Sequence, residues 1–156
     1  MKTSSLKLQK GFTLIELLVV IGILAILLSI TLIAINPAKQ FSQANDTKRR
    51  SDVNAILNAV DQYAADHAGA LPAGILNTGT APETTISDTG TNICSALVTK
   101  YLAQLPVDPL TNSGTAIATC SGTYNTNYQV VKSASDNRVT VSAPATENGA
   151  VISVTR

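Results

Sequence analysis

One long apolar run lies near the N-terminus, and the rest of the chain mixes apolar and polar positions. The run from Leu17 to Ile35 contains 19 residues and no charged side chain. As a helix it would be roughly 28 Å long at about 1.5 Å per residue, close to the ~30 Å hydrocarbon thickness of a bilayer. The run therefore predicts a membrane-spanning helix.

The region after the run has the pattern of an amphipathic helix, because its apolar side chains recur at steps of three and four residues. Gly69 and Pro72 mark its end, so the helix is predicted to reach about Ala68. Pro37 either begins a second helix capped by Asn36 or kinks one continuous helix, and both alternatives fit the sequence. The apolar face comprises Val53, Ile56, Leu57, Val60, Tyr63, Ala64 and His67.

Residues 69–156 predict a small β-rich head. A loop rich in Gly, Thr, Ser and Asn covers residues 73–92, and a short helical or turn-rich segment follows from Cys94 to Leu105. Short β-rich runs separated by turn residues then indicate an antiparallel meander of three or four strands. The predicted fold is α+β, with a long N-terminal helix packed against this sheet. The predicted strands are Thr115–Cys120, Tyr124–Val131, Arg138–Ala143 and Val151–Val154.

Composition and charge exclude several functions. The formal net charge is +1, and without the three lysines of residues 1–11 the chain has eight basic and ten acidic side chains. A nucleic-acid-binding protein concentrates basic charge on one face, so no nucleic-acid partner is expected. No nucleophile–base pair, phosphate loop or pair of carboxylates has a suitable spacing, so the sequence predicts no enzyme.

The residues immediately before the apolar run form a short motif, Lys10-Gly11-Phe12-Thr13-Leu14-Ile15-Glu16. A secretory signal peptide has an apolar core of roughly 7–15 residues and a small-residue cleavage site. Here the core is longer, and Asn36-Pro37 follows it. A plain signal anchor explains the length of the run but not the motif. The lysines before the motif favour a cytoplasmic N-terminus and a head outside the membrane.

The motif resembles the N-terminus of type IV prepilins, and the resemblance covers about the first third of the chain. It implies that a membrane aspartyl peptidase cuts the Gly11–Phe12 bond, that the new amino group of Phe12 is methylated, and that Glu16 guides the packing of subunits. It also implies a pilin fold in four parts. These are a cleaved leader (1–11), a transmembrane and polymerisation helix (12–35), an amphipathic half (36–68) and a head (69–156).

The partners that the resemblance implies are further copies of the chain in a helical filament, the prepilin peptidase and methylase, and an inner-membrane assembly platform. The precursor would cross the cytoplasmic membrane once, and the assembled protein would form a filament at the cell surface. Three functions then compete: a pilus subunit, a major pseudopilin of a type II secretion system, and a monomeric membrane-anchored binding module. The cations of the head are scattered along the sequence, which disfavours the third.

Glu16 is the strongest candidate for a functional residue. An ionised carboxylate within a membrane costs several kcal/mol and is normally paired, yet the apolar run contains no cation. The resemblance implies that its partner is the amine of Phe12 in a neighbouring subunit, which exists only after cleavage. The alternative is that Glu16 reaches the lipid headgroups at the cytoplasmic edge.

Cys94 and Cys120 are expected to form a disulfide, because disulfides persist in extracytoplasmic domains. Closing the loop between them would stabilise the head by roughly 3–4 kcal/mol in the chain-entropy model. No CxxC pattern is present, and His and Cys are too few for a zinc site.

Four weaker candidates remain. Asp108 lies between two prolines, in a loop that loosely resembles the calcium-binding loop of major pseudopilins. Calcium needs six to eight oxygens, so Asp108 is a weak calcium candidate, and no other cofactor is expected. The cluster Lys48-Arg49-Arg50 is predicted to be a solvated face, and His67 is predicted to be structural. Asn45-Asp46-Thr47 matches a glycosylation sequon, a pattern that also arises often by chance.

Overall fold

A computed structural model describes residues 11–75 and 83–156 of the chain. The chain divides into two compact units, one ending at Gln40 and the other comprising Phe41–Arg156. The leader lysines and the middle of the predicted loop, residues 76–82, lie outside the described residues. The α+β class predicted from the sequence is confirmed.

The first unit contains helix α1, Leu14–Ile35, which is 22 residues long. At the standard rise this is about 33 Å, long enough to cross a bilayer. In the described residues it is the one helix that is long and apolar enough to do so, and none of its residues is buried. The apolar run therefore forms the helix that the sequence predicts.

Helix α2, Pro37–Asp66, is separate from α1. Asn36 between them has a left-handed backbone conformation, with φ 47°. Of the two alternatives left by the sequence, the structure has a second helix that begins at Pro37, the position where proline costs no hydrogen bond. At the other end the helix stops two residues before the predicted Ala68. The N–H of Gly69 then donates to the carbonyl of Ala64 at 2.8 Å.

The head sheet has four antiparallel strands in the order β1-β2-β3-β4. Three of them, β2 to β4, overlap predicted runs. The prediction for Thr115–Cys120 is wrong, because this segment contributes only an isolated bridge between Ile117 and Leu105. The first strand instead falls in the predicted loop, where Ile86 is buried and supplies the apolar side chain. The strands are β1, Thr84–Ser87; β2, Asn125–Lys132; β3, Val139–Ala143; and β4, Ile152–Thr155.

The core of the head contains the apolar face of α2 and the inner face of the sheet. Val53, Ile56, Leu57 and Val60 are all fully buried. The prediction is wrong at His67, which is exposed and stacks on Tyr63 with ring centroids 3.9 Å apart. A short helix, α3, runs over Cys94–Leu97 and packs its buried residues against the same core. Side chains of the sheet in this core are Ile86, Tyr128, Val130, Val139, Val141 and Ile152.

Candidate functional site

The predicted cleavage site lies in exposed, non-helical chain. Gly11 and Phe12 precede the first residue of α1, and the Phe12 side chain is 85% exposed. A Cβ placed on Gly11 would meet no atom within 4 Å. A peptidase must bind the backbone on both sides of the bond that it cuts, so this local geometry is compatible with cleavage. The cleavage and methylation assigned to Gly11 and Phe12 stay predictions.

The carboxylate of Glu16 is hydrogen-bonded within its own chain. Its Oε2 accepts from the backbone N–H of Thr13 at 2.8 Å and from the Thr13 hydroxyl at 2.6 Å. The Thr13 Oγ1 accepts in return from the N–H of Glu16 at 3.3 Å. This reciprocal pair is a capping box at the start of α1, where the helix dipole also favours a negative charge.

Sequence reasoning missed the role of Thr13. The spacing Thr13-Leu14-Ile15-Glu16 is the signature of a capping box and was the signal for it. The box gives the carboxylate two donors before any second subunit is present. An amine from a neighbour would therefore bind a carboxylate that is already oriented, rather than satisfy one with no partner. The binding of that amine to Glu16 stays a prediction.

The surroundings of Glu16 are otherwise apolar. Its neighbours are Phe12, just before α1, and Ile15, Val19 and Val20 on the surface of α1. The two hydroxyls farther along α1 are bonded inside the helix, Ser29 to the carbonyl of Ala25 and Thr31 to that of Leu28, each at 2.9 Å. Beyond its first turn, α1 therefore offers an apolar surface to its environment.

A second polar site lies inside the head unit and is centred on Arg49, which is 0% exposed. Its Nε and Nη2 donate to the two carboxylate oxygens of Asp108 at 2.7 and 3.2 Å, a bidentate pair. Its Nη1 donates to Asp46 at 2.9 Å and to Glu147 at 3.0 Å. We call these four residues the Arg49 cluster. It joins α2 to the loop of Asp108 and to the connection between β3 and β4.

Asp46 accepts hydrogen bonds from two residues of the β3–β4 connection. Its carboxylate accepts from the backbone N–H of Glu147 at 3.2 Å and from the side-chain amide of Asn148 at 2.9 Å. Burial disfavours its charged form, but the hydrogen bonds from Asn148 and Arg49 outweigh burial and lower the pKa of Asp46 below its ordinary 3.8. Bonding to Asp108 raises the pKa of Arg49. Asp46 and Arg49 are therefore both charged at neutral pH.

We expect the head to lose stability in acid through Asp46. Because its pKa is lower in the folded state, the contribution of Asp46 is present above about pH 3.8 and is lost as the pH falls through the folded value. In the Asp46→Asn variant this contribution should be missing. Unfolding free energies measured between pH 7 and pH 3 should therefore depend less on pH in the variant. Equal pH dependence in both proteins would contradict the assignment.

The weak calcium candidate Asp108 binds a guanidinium in the structure. Both of its carboxylate oxygens accept from Arg49, and Oδ1 also accepts from the N–H of Leu110 at 2.9 Å. Within residues 11–75 and 83–156 no group of three or more His, Cys, Asp or Glu side chains is arranged to hold a metal. Calcium binding stays a hypothesis, and an ion at Asp108 would compete with Arg49.

The solvated basic face predicted for Lys48-Arg49-Arg50 is wrong at its middle residue. Arg49 is buried, whereas Arg50 is exposed. Lys48 pairs with Asp52 at 3.0 Å, and the same carboxylate accepts from the hydroxyl of Tyr128 at 2.8 Å. Burial and this bond raise the pKa of Tyr128. A sequence signal existed, because Arg49 lies four residues before Val53 on the same face of α2.

Two further predicted sites have defined positions in the head. Cys94 and Cys120 form a disulfide, with Cys94 buried in the core. Asn45, the asparagine of the sequon, lies on α2 and donates its side-chain amide to Glu147 at 2.8 Å. Glycosylation at Asn45 stays a hypothesis.

The comparisons with known proteins concern the N-terminal region. The model of the prokaryotic N-terminal methylation motif matches residues 6–32. This range contains the Gly11–Phe12 bond, the capping box and most of α1. Comparison of the chain with curated proteins and with solved structures found no match. The motif and the apolar helix support membrane anchoring of the precursor and imply processing by a prepilin peptidase. The chain therefore carries the N-terminal methylation motif that is the signature of type IV pilins and their prepilins.

Proposed function

We propose that the protein is the structural subunit of a type IV pilus-like surface filament, assembled through α1 after leader cleavage and N-methylation of Phe12. The observation that carries this proposal is an apolar helix of 22 residues, none of them buried, opened by the methylation motif. Such a surface is stable in lipid, but in water it must be covered. Copies of α1 packed side by side would cover it.

The capping box supports an order of events in this proposal. Before cleavage, the chain continues through Gly11 and Phe12 has no free amine. Cleavage creates the amine, which then donates to the carboxylate of Glu16 in another subunit, held on the first turn of its helix by Thr13. The pairing neutralises a charge that would otherwise be buried in an apolar filament core. Assembly is thereby restricted to processed subunits.

The N-terminal mass of the protein tests the proposal. We would express the full chain with a prepilin peptidase and compare it with the Gly11→Leu variant. Wild type should begin at Phe12 with one added methyl group and form filaments visible by electron microscopy, and the variant should stay full length. An intact Met1 in the wild type would contradict the filament proposal and support a membrane-anchored binding module. A cut after Ile35 would also contradict it, because the protein would then be released without α1.

A second candidate within the same class is the major pseudopilin of a type II secretion system. The observation that favours it is the loop Leu105–Pro109, which is bonded to α2 through Asp108. Deletion of the gene separates the two: loss of surface filaments supports a pilus subunit, and loss of protein export with filaments unchanged supports a pseudopilin.

Replacing Glu16 should weaken assembly without preventing cleavage. Glu16→Ala removes the charge and the capping box together, whereas Glu16→Gln keeps a side chain that can complete the box. If the charge pairs with a neighbour's amine, both variants should be processed and both should form few filaments. The measurement is the yield of sheared filaments relative to processed subunit in the membrane.

The matched control is Ser29→Ala, because among the described residues the Ser29 hydroxyl bonds to the backbone of its own helix. It should assemble like wild type. Normal filaments from Glu16→Gln but not from Glu16→Ala would assign the effect to the capping box and contradict the pairing.

A further inference from the structure

The connection between β3 and β4 contains the one Asn-Gly pair in the sequence, Asn148-Gly149. Both residues are exposed. Gly149 has φ +65°, and a Cβ at this position would meet no atom within 4 Å. Its backbone N–H donates to no other residue in the described parts of the chain. An uncovered glycine nitrogen after an asparagine is the arrangement from which a succinimide forms most readily.

We propose that Asn148 is a site of spontaneous deamidation, and that the carboxylate it forms releases residues 144–150 from α2. The Gly149 nitrogen gives its proton to water and attacks Cγ of Asn148, so that a new C–N bond forms. The Cγ–Nδ2 bond breaks, and the departing nitrogen takes up a proton from water and leaves as ammonia. Water then opens the succinimide at either carbonyl. The products are aspartate and isoaspartate at position 148, and water is the only other reactant.

The structural consequence arises because the amide of Asn148 is a donor to a carboxylate. Its Nδ2 donates to Oδ2 of Asp46 at 2.9 Å, and Asp46 already lies beside Asp108 and Glu147 around a single guanidinium. Deamidation removes this donor and places a fourth carboxylate against the cluster. Like charges in partly buried surroundings repel, and Asp46 loses part of its hydrogen bonding.

The β3–β4 connection is attached to α2 at one small patch. Its bonds to α2 are those of Glu147 and Asn148 with Asn45, Asp46 and Arg49, which lie within about one helical turn. None of residues 144–150 is buried, and their contribution to the apolar core is that of the partly buried Ala150 at the end of the segment. The connection can therefore detach locally while the sheet and the core remain folded.

The first test is peptide mass mapping of the full-length protein after incubation in detergent at neutral and mildly alkaline pH. The peptide containing Asn148 should gain the mass of an NH-to-O exchange, partly as isoaspartate, and the Asn148→Ser variant should not. The reference is the same chain incubated in urea. If Asn148 stays intact in the folded protein while it converts in urea, the proposed site is wrong.

The second test is hydrogen exchange of the Asn148→Asp variant, which reproduces the main charge change. The amide hydrogen of Glu147, which donates to Asp46, should exchange faster by roughly tenfold, with the core strands unchanged. The control is Asn137→Asp, the same substitution at the exposed turn between β2 and β3, which should leave the Glu147 amide at wild-type protection. Wild-type protection in Asn148→Asp would overturn the release. If Asn148→Asp does not fold, the same measurement on partly deamidated wild type decides the question.

Discussion

Replacing Arg49 with methionine is expected to destabilise the head by about 3–5 kcal/mol. The guanidinium is the cation that Asp46 and Asp108 share, and both carboxylates are buried. Without it they would remain as uncompensated charges or would have to take up protons. For a domain of this size the loss corresponds to a fall in melting temperature of roughly 10 °C or more.

The adjacent residue gives a matched control. Arg50→Met removes the same charge and leaves the same side chain one position along α2, but Arg50 is exposed. It should change stability by less than about 0.5 kcal/mol. Thermal unfolding followed by near-ultraviolet circular dichroism reports on buried tyrosines such as Tyr128 and not on α1. Equal effects of the two substitutions would show that Arg49 does not hold the head together.

A double variant separates the net stabilisation by the Arg49 cluster from the penalty of leaving one of its charges unpaired. A buried ion pair often stabilises a protein no more than apolar side chains of similar volume, whereas an orphaned buried charge is costly. Arg49→Met combined with Asp108→Leu should therefore recover part of the stability lost in Arg49→Met alone. No recovery would mean that Asp46 and Glu147 account for most of the penalty.

The sequence predicted those features that depend on periodicity. The apolar run and the face from Val53 to Val60 could be recognised because burial on one side of a helix repeats every three to four residues. The methylation motif could be recognised because residue types and spacing agree. These features define α1 and the packing of α2, and they contain the predicted processing site.

The features that the sequence did not predict depend on distant partners. Arg49 continues the buried face of α2, but its burial requires Asp108 and Glu147, which are about sixty and a hundred residues away in the chain. A charged residue without a visible partner is ordinarily assigned to the surface. The same reason explains β1, whose run Thr84–Ser87 is too short to stand out until its pairing with β2 is known.

Reducing the disulfide between Cys94 and Cys120 should destabilise the head by roughly 3–4 kcal/mol, since the two cysteines are 26 residues apart and the reduced chain gains entropy when unfolded. The measurement compares the free energies of unfolding of the oxidised and the reduced wild-type protein. Reduction changes no side chain of the core other than the cysteines. An effect below about 1 kcal/mol would contradict the chain-entropy account.

The mechanism of that stabilisation can be tested through Asp108, which lies inside the loop closed by the disulfide and anchors it to α2 through Arg49. If the disulfide acts on the unfolded chain, its effect should be independent of this anchor. The losses from reduction and from Asp108→Asn should then add to within about 0.5 kcal/mol. A larger coupling would mean that the disulfide acts in the folded state, by holding Asp108 against Arg49, and that the two constraints form one structural unit.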